Sequence, residues 1–268
     1  MTKQRSCALH GGTFETSPDR GKGEVSLVGA PLDNGRKRAI AGNGTGHAFS
    51  YSNSSVAAKC ADKPKRGGAR NRKDRRSEGL SGAQLDGLIA AKCHATAIGL
   101  PFTRMVTIHW EEAGLLLQDM PWATGQFIDR LKKTLERHGS QTAYLWTHEG
   151  GATKGGHCHL LIHVPAGLVS KVLKLQRGWL RKITGKPYRK TVIVSRPIGK
   201  RLGREVSNPA DHAVNLEVAV GYVCKAASQA DLDARGIVRQ HEPGGLVIGK
   251  RCGTSQNIAH RARSQGAL

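Results

Sequence analysis

Hydrophobic positions are sparse and without period up to about residue 78, and from Ser81 onward they fall into alternating helical and strand patterns. Ser81 reads as the cap of a helix over 81–98, with Leu85, Leu88, Ile89 and Cys93 on its apolar side and Gly99 beyond its end. Residues 102–110 are rich in β-branched and aromatic side chains and read as a strand. Pro121 opens a helix to about 138 that turns Phe127, Ile128, Leu131 and Leu135 inward. Residues 142–149 read as a second strand. A glycine-rich turn, 150–156, leads back into a third strand, so the two strands form an antiparallel hairpin. A basic amphipathic helix follows over 167–183, carrying Val169, Val172, Leu173, Leu175, Trp179, Leu180 and Ile183. Residues 190–197 form another strand, and Pro209 starts a helix to about 228. This order predicts an α+β domain over 79–230: a central antiparallel β-sheet flanked by helices. A disordered basic tail, 1–78, precedes it, and a Gly-rich basic C-terminal extension, 231–268, follows.

The third strand, Gly156-His157-Cys158-His159-Leu160-Leu161-Ile162-His163-Val164, carries the chemistry. Side chains alternate across a strand, so His157 and His159 share one face while Cys158, Leu160, Ile162 and Val164 fill the other as core. A lone strand histidine is ordinarily a hydrogen-bonded core residue. Two on one face, with an acid beside them, make a divalent-metal half-site. Glu149 closes the preceding strand across the glycine-rich turn and is the expected third ligand. Two imidazoles and a carboxylate, with positions left for water and a phosphate oxygen, suit Mg²⁺ or Mn²⁺ as a Lewis acid. His148 is the alternative third ligand, but it faces opposite to Glu149 by strand parity. His163 shares the parity of the pair and lies further on, as a supporting or surface group.

The last predicted helix contains Gly221-Tyr222-Val223-Cys224-Lys225-Ala226. Tyr222 and Lys225 are three apart and share one face, with Val218 and Ala219 packing that face one turn earlier. A phenol oxygen attacks a polarised phosphorus to form phosphotyrosine, and an ammonium beside it neutralises phosphate charge. Taken alone, Tyr222 reads as a core tyrosine with a snorkelling lysine.

Charge changes the picture. The chain of 268 residues carries a formal net charge of +22, which favours a polyanionic partner, DNA or RNA. Lys63, Lys65, Arg66, Arg70, Arg72, Lys73, Arg75 and Arg76 concentrate part of it in the tail, where they add non-specific attraction to nucleic acid. The six cysteines, at 7, 60, 93, 158, 224 and 252, form no C-x-x-C and read as reduced thiols rather than a zinc ribbon or disulfide framework. Without an apolar run of membrane length or an apolar signal core, the expectation is a cytoplasmic protein with no membrane partner.

His157-Cys158-His159, the acid upstream and Tyr222-Val223-Cys224-Lys225 downstream resemble the HUH endonuclease superfamily, in particular its rolling-circle replication initiator (Rep) proteins. That family is named for His-hydrophobic-His on a central strand and carries a Tyr-x-x-Lys helix after it. Residues 102–108 stand where its first strand motif falls. The resemblance covers about 80–228. It implies an active site on the sheet, His157, His159 and Glu149 as metal ligands, and Tyr222 and Lys225 as catalytic residues. It implies single-stranded DNA and origin hairpin DNA as substrates, with a host helicase and polymerase as partners. The implied reaction is nicking and rejoining of DNA through a 5′-phosphotyrosine, with a one-tyrosine mechanism because no second tyrosine lies near position 222.

Two other readings share the residues. A single-tyrosine transposase or relaxase uses the same chemistry, although relaxases usually place the tyrosine before the histidines. A non-catalytic basic nucleic-acid-binding protein would keep the fold without the reaction. Gly244 to Lys250 has the G-x-x-x-x-G-K spacing of a phosphate loop, but Arg251 replaces the Ser/Thr that holds Mg²⁺ and too little chain follows for a nucleotide-binding domain.

Overall fold

Local signals start and stop the helices as the pattern requires. The computed structural model describes residues 74–151, 155–239, 241–242 and 244–265. Its strands are β1 (Arg76–Ser77), β2 (Arg104–His109), β3 (Tyr144–Gly151), β4 (Gly155–Ile162), β5 (Ile193–Pro197), β6 (Val247–Ile248) and β7 (Cys252–Thr254). Its helices are α1 (Gly82–Ala97), α2 (Met120–Glu136), α3 (Val169–Thr184), α4 (Arg204–Ser207), α5 (Pro209–Cys224), α6 (Gln229–Asp233) and α7 (His260–Gln265). A capping box opens α1: Ser81 Oγ accepts from Gln84 N, and Gln84 Oε1 accepts from Ser81 N. Asn208 caps α5 through Asp211 N, with Pro209 in the first turn.

The fold is α+β, with a five-stranded antiparallel sheet in the order β5-β2-β4-β3-β7 between two layers of helix. Period-two alternation sorts the core into halves. Val106, Ile108, Trp146, Cys158, Leu160 and Ile162 pack on one face against Phe127 and Leu131 of α2 and Trp179 and Leu180 of α3. Leu145 and Leu161 point the other way, onto Leu85 and Leu88 of α1 and Leu216, Val220 and Val223 of α5. Each large side chain so buried contributes about 1.5–3 kcal/mol, and each half-core holds one helix pair in place over the sheet.

The structure departs from the pattern reading at several points. Helix α1 buries Ala91 and Ala95 after Leu85 and Leu88, leaving Cys93 exposed, because the inward stripe steps by three and four from Leu88. In α3, Leu173 and Leu175 stay exposed and Gln176 is buried. Helix α5 stops at Cys224, which leaves Lys225 as its cap. The expected disordered tail lies outside the described residues up to position 73, but Arg76 and Ser77 pair with Ile248 and Val247. Buried Arg251 holds that ribbon, donating from Nε to Ser77 Oγ at 2.9 Å and from Nη2 to Gly245 O at 2.7 Å. Within the expected C-terminal extension, Cys252–Thr254 supplies the fifth strand of the sheet, in register with Thr147, Trp146 and Leu145. Three residues are too short a run for alternation to mark as a strand, and tertiary pairing alone defines it.

Candidate metal and tyrosine site

Sheet register builds two rows of polar side chains on the α1/α5 face. In one row Thr107, His159 and Thr147 lie side by side across β2, β4 and β3; in the next, His109, His157 and Glu149 do. Glu149 therefore stands directly opposite His157. One carboxylate oxygen, Oε2, lies 3.1 Å from His157 Nε2 and 3.4 Å from His159 Nε2. All three side chains are buried, and their candidate ligand atoms lie within 4.8 Å of one another. The other ring nitrogens hold the imidazoles in place. His157 Nδ1 donates to Gly155 O at 2.8 Å, which fixes the ring with Nε2 towards the carboxylate. His159 Nδ1 is 3.0 Å from Thr107 Oγ1. Two nitrogen lone pairs and a carboxylate converging on one point suit a divalent cation. The buried Oγ1 of Thr147, in the row of His159, has no hydrogen-bond partner among the described residues, as expected beside a site that also takes water or an ion.

Helix α5 crosses this face above β3 and β4 and brings in Tyr222 and Lys225. The Tyr222 ring meets the His159 ring edge-on, with centroids 4.8 Å apart, and meets the His241 ring edge-on at the same separation. Lys225 Nζ lies 4.2 Å from the centre of the phenol ring, 3.4 Å from His159 Nε2, and in an ion pair with Glu149 Oε1. The five residues read from the sequence thus form one cluster. Val218 does not pack beneath Tyr222 as expected: it is 57 % exposed, whereas Ala219 is buried.

Burial and charge set the protonation of the cluster. Burial pushes the Glu149 carboxyl up, but hydrogen bonds from His157 and His159 and the charges of His159 and Lys225 outweigh it and hold the carboxyl well below its usual range. Burial pulls His159 down to about 4, against the pull of the Glu149 carboxylate. The Tyr222 phenol is raised, first by burial and then by the negative charge of Glu149, so it holds its proton at neutral pH.

His148 is fully buried on the opposite face, where Nε2 meets Thr124 Oγ1 and Nδ1 meets Lys250 O, each at 2.8 Å. The alternative third ligand is thus turned away from the metal cluster. Burial pulls it down to about 3. The unfolded chain takes up protons on His148 and His159 near pH 6.5 while the folded chain takes them only near 3 and 4. Below pH 6.5 the unfolded state binds more protons, so stability falls with acid. Urea unfolding between pH 6.5 and 4 should lose up to about 1.4 kcal/mol per pH unit for each histidine. A flat profile over that window would contradict the buried neutral imidazoles.

His163 lies beyond the end of β4, half-buried, with Nδ1 2.8 Å from Pro101 O, and takes no part in the site. The glycines of the phosphate-loop look-alike pack against β3 instead. A β-carbon at Gly244 would overlap the Glu149 side chain, and one at Gly150 would overlap Leu246 O. Only glycine lets the two backbones approach so closely. Lys250 lies 5.6 Å from the centre of the Trp146 ring. Three neighbours of the site were missed from the sequence: Thr107, His109, whose ring lies 5.5 Å from that of His157, and His241. The parity of 105, 107 and 109 on β2 was a usable signal for the first two. No local pattern marks His241.

An antiparallel sheet bearing a buried His-His-Glu cluster, with a tyrosine and a lysine delivered by a helix above it, is the class of site defined here. No protein-family profile matches the chain, and no curated protein matches it in sequence. Among solved structures it is similar to the N-terminal nuclease domain of non-structural protein 1 of minute virus of mice, with a TM-score of 0.26 and 11 % identity over 61 % of this chain and 79 % of that one. That domain is described as having Zn²⁺ coordination in its active-site pocket and as recognising DNA at the origin of replication. No described helix is long and apolar enough to cross a membrane.

Proposed function

We propose that the chain is an HUH-type, single-tyrosine endonuclease and strand transferase that nicks and rejoins single-stranded DNA and so initiates rolling-circle replication of a plasmid or phage. The observation that carries this reading is the placement of Tyr222, its ring 4.8 Å from His159 and its face under the Lys225 ammonium. Glu149, His157 and His159 would hold Mg²⁺ or Mn²⁺, which when bound acts as a Lewis acid on the scissile phosphate.

The protein side of the reaction follows from the cluster. Tyr222 Oη attacks phosphorus, the P–O3′ bond breaks, and the phenol's proton is delivered in net terms to the departing 3′ oxygen. The 5′ end stays on Tyr222 as a phosphodiester, and the free 3′ hydroxyl serves a polymerase. The exchange of one phosphodiester for another needs no co-reactant, so the same residues reverse it for joining. Lys225 offsets phosphate charge beside the nucleophile. Single-stranded DNA and an origin hairpin are the proposed substrates, with a host helicase and polymerase acting downstream.

Incubation of the protein with a pool of single-stranded oligonucleotides and Mn²⁺ should give an SDS-resistant adduct. Mass spectrometry should place the nucleotide on Tyr222. An adduct on another residue, or none with any metal or sequence, would count against the proposal.

A further inference from the structure

Beside the phenol lies a cavity of about 340 Å³ to which the chemistry above assigns no occupant. Val218, Gly221 and Tyr222 of α5, Lys225 at its cap, and Ile237 and Val238 of the segment after α6 line it. The surface around it is unusually apolar for one exposed to water. Val214, Val218 and Val238 are 66 %, 57 % and 76 % exposed. Val214, Val218, Gly221, Tyr222 and Lys225 recur at helical spacing, so one stripe of α5 runs from open surface straight to the nucleophile. Valines so exposed gain little from folding there. They do cover the face of a flat apolar ligand.

We infer that this cavity receives a nucleobase of the nucleotide next to the attacked phosphate, unstacked from its neighbours. The inference rests on the nicking reaction proposed above, and continuity with that site names the occupant. A strand whose phosphate reaches Tyr222 must place an adjoining base within one nucleotide's reach, and the only apolar hollow touching Tyr222 among the described cavities is this one. Its size suits a single small ligand. Val218, Ile237 and Val238, with the rings of Tyr222 and His241, offer surface that accepts any base by its face, as sequence-tolerant single-strand sites do. Glu217 at the rim is already ion-paired with Lys92, and Arg235 with Asp86, so the rim charges are committed within the protein. The pocket also gives a physical reason for single-strand selectivity, since a base held in a duplex cannot enter it without being unpaired.

The test uses an oligonucleotide that the wild-type chain nicks, remade with a single abasic position at each site across the cut. Binding is followed by fluorescence anisotropy in EDTA, where no cleavage occurs. One abasic position next to the cut should weaken wild-type binding about tenfold. Gly221→Leu should weaken binding of the intact strand by a similar factor and show no further loss with the abasic strand. A β-carbon at 221 meets only Ile237 Cγ2, at 3.5 Å, so the helix has room for the change. Val238→Glu should behave alike should Gly221→Leu fail to fold. Wild-type binding indifferent to every abasic position, or an undiminished abasic penalty in both variants, overturns the pocket while leaving the nicking reaction standing. Failure of the wild type to nick any strand overturns both.

Discussion

Tyr222→Phe is expected to abolish the covalent adduct and to lower strand cleavage by at least about a thousandfold, because it removes the attacking oxygen and little else. Phenylalanine keeps the edge-on contacts of the ring with His159 and His241 and its place beneath Lys225. Stability should therefore stay within about 0.5 kcal/mol of wild type, and Mn²⁺ binding measured by calorimetry should be unchanged. That separation is the point of the experiment. A variant that loses both chemistry and metal binding would show that the phenol is part of the cluster's support rather than its nucleophile. Retained cleavage would move the nucleophile elsewhere and remove the mechanism.

Glu149→Gln is expected to have the larger effect on the protein as a whole. The side chain is shared by three partners: Oε2 faces both imidazoles, and Oε1 is paired with Lys225. Both members of the Glu149–Lys225 pair are buried. Removing the Glu149 charge takes away the carboxylate that faces the buried Lys225 ammonium, and breaking such a buried pair costs about 3–5 kcal/mol. Divalent-metal affinity should fall at least about a hundredfold, since the one anionic ligand is gone. The double variant Glu149→Gln with Lys225→Met should recover most of the stability, because no buried charge is then stranded, and none of the metal binding. Urea unfolding and calorimetry on the two variants separate these effects. A single variant less than about 1 kcal/mol weaker than wild type would show that the ion pair does not organise the site. Full metal binding in either variant would take Glu149 out of the ligand set.

Much of this arrangement was readable before any fold was known, and the reason is local. Alternation along a strand is a property of the covalent chain, so the spacing of His157 and His159 put both on one face, with Cys158, Leu160 and Ile162 in the core behind them. A glycine-rich turn forces a hairpin, and the hairpin brought Glu149 opposite His157. The three-residue step from Tyr222 to Lys225 placed both on one side of α5 even though the helix ends between them. Parity set His148 and Glu149 on opposite faces, and the pairing of Glu149 with His157 decided between them.

What had no local signature came from contacts distant in sequence. The strand Cys252–Thr254 exists only because β3 offers it an edge. The run from Gly244 to Lys250 has the spacing of a phosphate loop along the chain, and only the close approach of Gly244 to Glu149 and of Gly245 to Gly150 shows its start to be a backbone crossing. His241 reaches Tyr222 from beyond α6, and Val218, an apolar residue on a helix, turned out to face water. Periodicity tells which residues share a face; which face is covered, and by what, is decided by non-local packing whose free energy no short window of sequence contains.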